Sequence, residues 1–322
     1  MTGKIKELQN EILLLEAKAE YLNKLNSLIE IKKVQKSDKI NIIIELRKKY
    51  PLKILLEITN IKRSTYYFHL KKKDMDLKNR DIINKIKEIF YENKRRYGYR
   101  RITLELRKQG FIVNHKKVLR LMRKLNLQSI LYKRNKKYSS YRGIIGKTPD
   151  NYIERNFEAN KPNEKWFIDI TEFKLKGKKL YLSIILDAHG RYVISYNISL
   201  HPNFSQVKDM LEKALKNNSS IENLILHSDA GWQYQKDFYI KKLEEKNILQ
   251  SMSGLGNVLD NGLIENFFGI MKSEMFYGQE NNYKDIEELK VAIDEYINYY
   301  NNKRIKIKLK GLTPAEYRNQ FL

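Results

Sequence analysis

At 322 residues with a formal charge of +25, the chain is long enough for two or more domains, and its surplus of Lys and Arg points to a polyanionic partner. The absence of cysteine excludes disulfides, Cys-containing zinc sites and a thiol nucleophile, and it fits a reducing compartment. No apolar run reaches membrane-spanning length and no signal peptide opens the chain, so a soluble cytoplasmic protein with no membrane partner is expected.

Residues 1–33 carry a heptad. Ile5, Ile12, Ala19 and Asn26 fall at one core position and Leu8, Leu15, Leu22 and Ile29 at the other, with Glu and Lys around them. Four heptads with a polar Asn in the seam predict a coiled coil, hence a homodimer or higher oligomer. The same spacing also fits an amphipathic helix packed on its own protein. Residues 38–75 read as three short helices, with Ile42, Ile43 and Leu46 on one face of the first, a second over 52–58 and a turn at Asn60. This helix-turn-helix pattern places Arg63 and Ser64 at the start of a recognition helix.

The charge is concentrated over 61–147, where 27 Lys plus Arg face 6 Asp plus Glu, a net +21. Basic residues interleaved with helical apolar periodicity mark a nucleic-acid surface; a merely solvated surface is the bland alternative. Within this stretch, 78–130 reads as a second helix-turn-helix unit. Tyr97-Gly98-Tyr99-Arg100-Arg101 leads into a helix with Ile102 and Leu106 on one face, ended by Gly110 in a left-handed cap. In the next helix Val118, Leu121, Met122 and Leu125 keep the core spacing while Lys116, Lys117, Arg120, Arg123 and Lys124 occupy other faces. Double-stranded DNA is the expected partner, with Arg63, Ser64, Arg100, Arg101, Lys116, Lys117, Arg120 and Lys124 as candidate contacts. Residues 131–160 form a basic linker in which Lys133 and Arg134 either track a DNA backbone or stand solvated.

Around Pro162 the periodicity turns strand-like. Strands are expected over 165–175, 179–187, 191–199, 223–227 and 248–251, with a hairpin turn at Lys176-Gly177 and helices over 204–215, 235–247 and 260–275, the last capped by Asp260. Three antiparallel strands followed by two crossover units make a mixed sheet with helices on both faces. The predicted fold class is therefore multidomain α and α/β: coiled coil and helix-turn-helix units, then a mixed-sheet domain over 161–278 and a helical extension over 279–322. Asp169 sits within the first strand, Asp229 follows the fourth, where ligands collect in open α/β sheets, and Glu265 lies one turn into the last helix. Three acids brought to one edge could hold divalent cations for phosphodiester chemistry.

Thirty-five residues separate Asp229 from Glu265, and Lys272 follows Glu265 by two helical turns. This spacing resembles the DDE signature of transposases and retroviral-type integrases. The surrounding text narrows it: Trp166-x-x-Asp169-Ile170-Thr171, His227-Ser228-Asp229-x-Gly231-x-Gln233-Tyr234, Ser251-Met252-Ser253, Asp260-Asn261-x-x-x-Glu265-x-Phe267-Phe268, Tyr300-Asn301-x-x-Arg304 and Thr313-Pro314-Ala315-Glu316-Tyr317. From Tyr97 onward the set is similar to the bacterial insertion-sequence transposases of the IS-three family.

That resemblance implies an RNase H-like catalytic domain in which Asp169, Asp229 and Glu265 bind two Mg²⁺ ions, with Mn²⁺ able to substitute. It implies cleavage and strand transfer at terminal inverted repeats and target DNA, through a circular intermediate, in a bacterial nucleoid-associated protein. Lys272 and Asn261 are then candidate DNA-phosphate contacts, Asn261 alternatively positioning Glu265. Trp166 is divided between core packing and support of the site. Two departures stand out: Gly254-Leu255 replace the family's usual basic residues, and Glu172 replaces a more usual aromatic. The family's upstream helix-turn-helix, made by fusing two reading frames, is missing, which fits a downstream-frame product with part of a zipper, an engineered chain, or a variant that reads its ends differently. A non-catalytic DNA-binding repressor and a hydrolytic RNase H-type nuclease remain alternative readings.

Overall fold

A computed structural model describes residues 2–30, 33–130, 149–218, 221–254 and 258–321, side chains at 2, 72–76 and 258–259 apart. The chain divides into two compact units, 1–84 and 85–322. Among the described residues no helix is long and apolar enough to cross a membrane.

The first unit holds α1 (Thr2–Ile29), α2 (Lys36–Leu46), α3 (Leu52–Thr59) and α4 (Arg63–Lys78). Its core joins Ala17 and Tyr21 of α1 to Ile40, Ile42, Ile43 and Leu46 of α2, Leu55 of α3 and Tyr66 of α4. Glu20 of α1 accepts from Lys49 at 2.9 Å and from the Tyr50 hydroxyl at 3.0 Å, fastening α1 to the turn after α2. So α1 does pack on its own protein, but through a stripe other than the heptad. Ile5, Leu8, Ile12, Leu15, Leu22 and Ile29 stay 42–57% exposed. Asn60 adopts the left-handed conformation, φ 51°, and turns α3 into α4.

The second unit begins with α5 (Arg80–Glu92), most of which lies within it, then α6 (Tyr99–Lys108) and α7 (His115–Lys124). Gly110, φ +85°, ends α6: its N–H donates to the Arg107 carbonyl and the Phe111 N–H to the Leu106 carbonyl, both at 3.0 Å, the paired bonds of a Schellman cap. Asn114 caps α7 by accepting from the Lys116 N–H.

Five strands follow: β1 (Lys165–Leu175), β2 (Lys178–Asp187), β3 (Val193–Ser199), β4 (Ile225–Ser228) and β5 (Leu249–Met252). They are ordered β3-β2-β1-β4-β5. The first three pair antiparallel; β4 lies parallel to β1, and β5 parallel to β4. Lys176 and Gly177 both have positive φ, 47° and 82°, as a two-residue hairpin between right-twisted strands needs. On one face α8 (Phe204–Asn217) and α9 (Asp237–Glu244) pack on Trp166, Ile168, Ile185 and Leu226. On the other, α10 (Gly262–Met275) and α11 (Ile286–Asn302) pack on Phe167, Phe173, Leu182 and Ile184. A short α12 (Pro314–Arg318) closes the chain.

The helical segments before and after the sheet interlock with each other. The Tyr97 hydroxyl donates to the Lys303 carbonyl at 3.1 Å and accepts from the Ile305 N–H at 2.8 Å, and the Tyr299 hydroxyl donates to Asn93 at 3.0 Å. From Lys85 on, the segments drawn from sequence at 78–130, 161–278 and 279–322 therefore share one unit.

Candidate active site

Side chains alternate across β1, so Asp169 shares its face with Phe167 and Phe173, the face that α10 covers. Phe167 is paired with His227 on parallel β4. Asp229 directly follows the end of β4, two residues past that pair, as Asp169 lies two residues past it on β1. Glu265, at the start of α10, comes to the same edge. The proximity shows in the electrostatics. Burial pushes the Asp169 carboxyl well above the usual range, and the charges of Asp229 and Glu265 push it further. Asp229 is likewise raised, by desolvation and by Glu265. The three acids thus share one neighbourhood without closing into a ligand set: among the described residues no group of three His, Asp or Glu stands close enough to hold a metal ion.

Backbone amides orient both aspartates. The Ile170 N–H donates to Asp169 Oδ1 at 2.7 Å, and the Gly231 N–H to Asp229 Oδ1 at 3.0 Å. A Cβ at Gly231 would stand 2.9 Å from Asp229 Oδ1 and 2.9 Å from Gln233 Oε1, so any larger residue there would displace the Asp229 or Gln233 side chain. Tyr234 is buried in the field of both aspartates; its hydroxyl has no hydrogen-bond partner, and burial, then the two carboxylates, raise its pKa well above normal.

His227 explains the Ser251-Met252-Ser253 motif. Its Nδ1 lies 2.9 Å from Ser251 Oγ and its Nε2 3.1 Å from Ser253 Oγ, so the ring laces β4 to β5 directly below Asp229. Burial pushes this imidazole down to about 4, leaving it neutral near pH 7. Trp166 is fully buried and donates to Asn163 Oδ1 at 3.2 Å.

Several residues sit elsewhere than expected. Asp260 does not cap α10, which starts at Gly262; its buried carboxylate accepts from Asn151 at 2.9 Å and from Arg155 at 3.1 Å instead. Asn261 occupies the cap position without a side-chain cap bond, and its Oδ1 is buried and unpartnered. Lys272 donates to the Glu172 carbonyl at 2.7 Å and lies 4.9 Å from the Phe173 ring centroid, close enough to Asp169 to favour the ionised carboxylate. Glu172 points outward and pairs with Lys179 at 2.9 Å across the hairpin.

Of the candidate DNA contacts, Arg63 and Ser64 are exposed at the start of α4, and Arg100, Lys116, Arg120 and Lys124 are exposed on the second helical unit, with Lys117 half-buried. Arg101 is the correction. It turns inward, 3.5 Å from Glu274 and over the Tyr97 ring, so its charge meets a buried carboxylate instead of solvent. Lys133, Arg134 and Leu255 lie outside the described residues; Gly254 is exposed.

Two ion-pair centres that sequence reading left without a role hold the site's elements in place. Glu274 on α10 takes Arg304 in two bonds, 2.8 and 2.6 Å, and the Tyr296 hydroxyl at 2.9 Å. Burial alone would raise this carboxyl, but Arg304 more than offsets it and holds it below the usual range. At the far end of β2, Asp187 pairs with Arg318 of α12, which also donates to Asn163 at 2.7 Å, the same oxygen that receives Trp166. Burial raises Asp187 to about 6 even so. Asn301 brackets Val193, accepting its N–H at 3.0 Å and donating to its carbonyl at 2.9 Å. Arg304 and Asn301 belong to motifs quoted from the sequence; their spacing marked them without revealing partners.

Comparison with known proteins places these features. Residues 159–257 and 265–322 match the Integrase core domain, and 76–136 the HTH-like domain. The chain is 49% identical over 281 residues to the protein assigned as transposase InsK for insertion sequence element IS150 of Escherichia coli (strain K12), covering 87% of this chain and 98% of that one. It is 34% identical over 236 residues to transposase InsF for insertion sequence IS3A of the same organism, covering 72% and 80%. Among solved structures it is similar to the HTLV-2 integrase catalytic core domain in complex with magnesium, with a TM-score of 0.42 and 19% identity over 50% of this chain and 99% of that one.

Proposed function

The chain belongs to the integrase-core transposases of the IS-three insertion-sequence family, a class of polynucleotidyl transferases, and from that premise we propose that it cleaves element ends and joins them to target DNA at Asp169, Asp229 and Glu265. The observation that carries this reading is the shared neighbourhood of Asp169 on β1, Asp229 just past the end of parallel β4, and Glu265: beyond the effect of burial, the charges of Asp229 and Glu265 raise the Asp169 carboxyl, and Glu265 raises that of Asp229.

Three oxygen donors under mutual repulsion suit hard divalent cations, and these carboxylates would hold two Mg²⁺ ions, or Mn²⁺ in their place. Such ions, when bound, supply Lewis-acid activation of water or a DNA 3′-hydroxyl and stabilisation of the leaving 3′-oxygen. The chain's own groups do the positioning. The Ile170 and Gly231 amides fix the two aspartates, and neutral His227 braces the end of β4 without offering a proton near pH 7. Lys272 brings a cation to the rim, where a DNA phosphate would meet it. Arg63, Ser64, Arg100, Lys116, Lys117, Arg120 and Lys124 would grip the duplex of the terminal repeats, largely through phosphates.

The test is Asp229→Asn, an isosteric change that removes one ligand charge. On a duplex carrying the element's end, the variant is expected to bind as the parent does and to lose Mg²⁺-dependent nicking by at least about a hundred-fold. Nicking at the parental rate would sink the carboxylate assignment. Mapping the products of the parent chain separates the activities: joints as well as nicks mark a transposase, nicks alone a nuclease, and neither a repressor.

A further inference from the structure

The surface beside Asp229 carries an aromatic and basic patch that the carboxylate chemistry does not use. Trp232 opens the 3-10 turn Trp232–Gln235, immediately after the glycine that orients Asp229. Its indole is 41% exposed, whereas Trp166, the only other tryptophan, is fully buried. The Lys236 ammonium stands 5.4 Å from the indole centroid. Further along, Phe238 is 37% exposed, carries the Lys208 ammonium 4.7 Å from its ring centroid, and meets Phe204 edge-on at 5.9 Å.

Ring faces interleaved with lysines suit unpaired nucleic acid, because a ring stacks on any exposed base while an ammonium takes the neighbouring phosphate. Inside a duplex the base faces are covered by their neighbours, so such a patch selects single strands. Position narrows the ligand further. Three residues span at most about 11 Å, so the Trp232 Cα lies within that distance of the Asp229 Cα. That is roughly three base rises of about 3.4 Å.

We propose that Trp232 and Lys236 form a stacking site for an unpaired DNA base within about three nucleotides of the phosphate presented to the carboxylates, with Phe238 and Lys208 continuing the path. The inference rests on the DNA-processing reading of the site but concerns a different surface: a strand parted at the cleavage point is held open there while its backbone lies at Asp169 and Asp229.

The two tryptophans make the test direct. The full chain, in metal-free buffer, is titrated with a single-stranded thymidine oligonucleotide while tryptophan emission is followed. The long-wavelength emission of exposed Trp232 is expected to be quenched, with the short-wavelength emission of buried Trp166 persisting. Trp232→Ala should weaken binding of the oligonucleotide by roughly ten-fold or more, and Trp232→Phe should retain most of it. Trp166 emission reports that the alanine variant is folded. A blunt duplex of the same length should quench little. Equal quenching by that duplex, or undiminished single-strand affinity in Trp232→Ala, overturns the proposal. The measurement needs neither metal nor turnover, so its outcome is independent of whether the carboxylates catalyse.

Discussion

Asp169 is a carboxylate that the fold makes costly to ionise. Burial comes first, then Asp229 and Glu265, and only the Ile170 amide and Lys272 work the other way. The linkage has a definite sign. An unfolded Asp titrates near 3.9, so between that value and the raised native one the folded chain binds more protons than the unfolded chain. Stability from this group is therefore greatest at low pH and is lost as pH rises through the native pKa. Metal-free Asp169→Asn should melt above the parent at pH 8, by a few °C for each roughly 1 kcal/mol of relieved repulsion. That difference should shrink toward pH 4, where the native carboxyl is protonated and its charge no longer opposes those of its neighbours. Scanning calorimetry across this range checks it, and a parent that melts above the variant at pH 8 would show the aspartate to be relaxed. Added Mg²⁺ should raise the parent's midpoint and leave the variant's nearly unmoved, since binding to the native state alone stabilises by mass action.

At the level of elements, what carries Glu265 and Lys272 is α10, and what holds α10 is the buried Glu274–Arg304 pair nine residues past the glutamate. Removing one partner of such a pair leaves the other charge buried and costs about 3–5 kcal/mol, whereas replacing both with apolar groups is often neutral. Glu274→Gln is thus expected to lower the melting midpoint sharply and to weaken DNA nicking with it, while Glu274→Leu combined with Arg304→Met should recover much of the loss. A double variant no better than the single one would show that the ion pair fixes α10 by direction and not only by charge balance. This pair also shows where sequence reading stops. The strands and hairpin were legible because alternation and Lys176-Gly177 are local signals, and β4 pairs parallel to β1 as the expected crossover units required. Arg101 looked like a DNA contact because a basic helix residue reads the same facing solvent or Glu274, and only tertiary packing decides. Asp260 looked like a cap because capping is the commonest local use of Asp before a helix, yet Asn151 and Arg155, over a hundred residues earlier, claim it. His227 and its two serines were visible as letters; their lacing across β4 and β5 needed the register.

For the molecule as a whole, the open question of partners turns on α1, which has two apolar stripes on one helix. Ala17 and Tyr21 bury themselves in the first unit, while Ile5, Leu8, Ile12, Leu15, Leu22 and Ile29 stay about half exposed along the 28-residue helix. The heptad pattern found the exposed stripe and missed the packed one, because a 3.5-residue template passes over residues offset to the opposite face. Six large side chains in one row are poorly accounted for by solvation. Burying the remaining half of each in a second copy contributes about 1 kcal/mol apiece, several kcal/mol per helix and twice that per dimer. Asn26 in the row would set a parallel register at some cost in stability. A parallel pair would bring two copies of the DNA-binding helices and two carboxylate sets to one assembly, which joining two element ends requires and nicking one end does not. Leu15→Glu with Leu22→Glu places charge on the exposed stripe and leaves Ala17, Tyr21 and the core they serve in place. That variant should stay folded by circular dichroism, scatter light as a monomer, and lose joint formation more severely than nicking. A mass equal to the parent's would remove α1 as the oligomerising element.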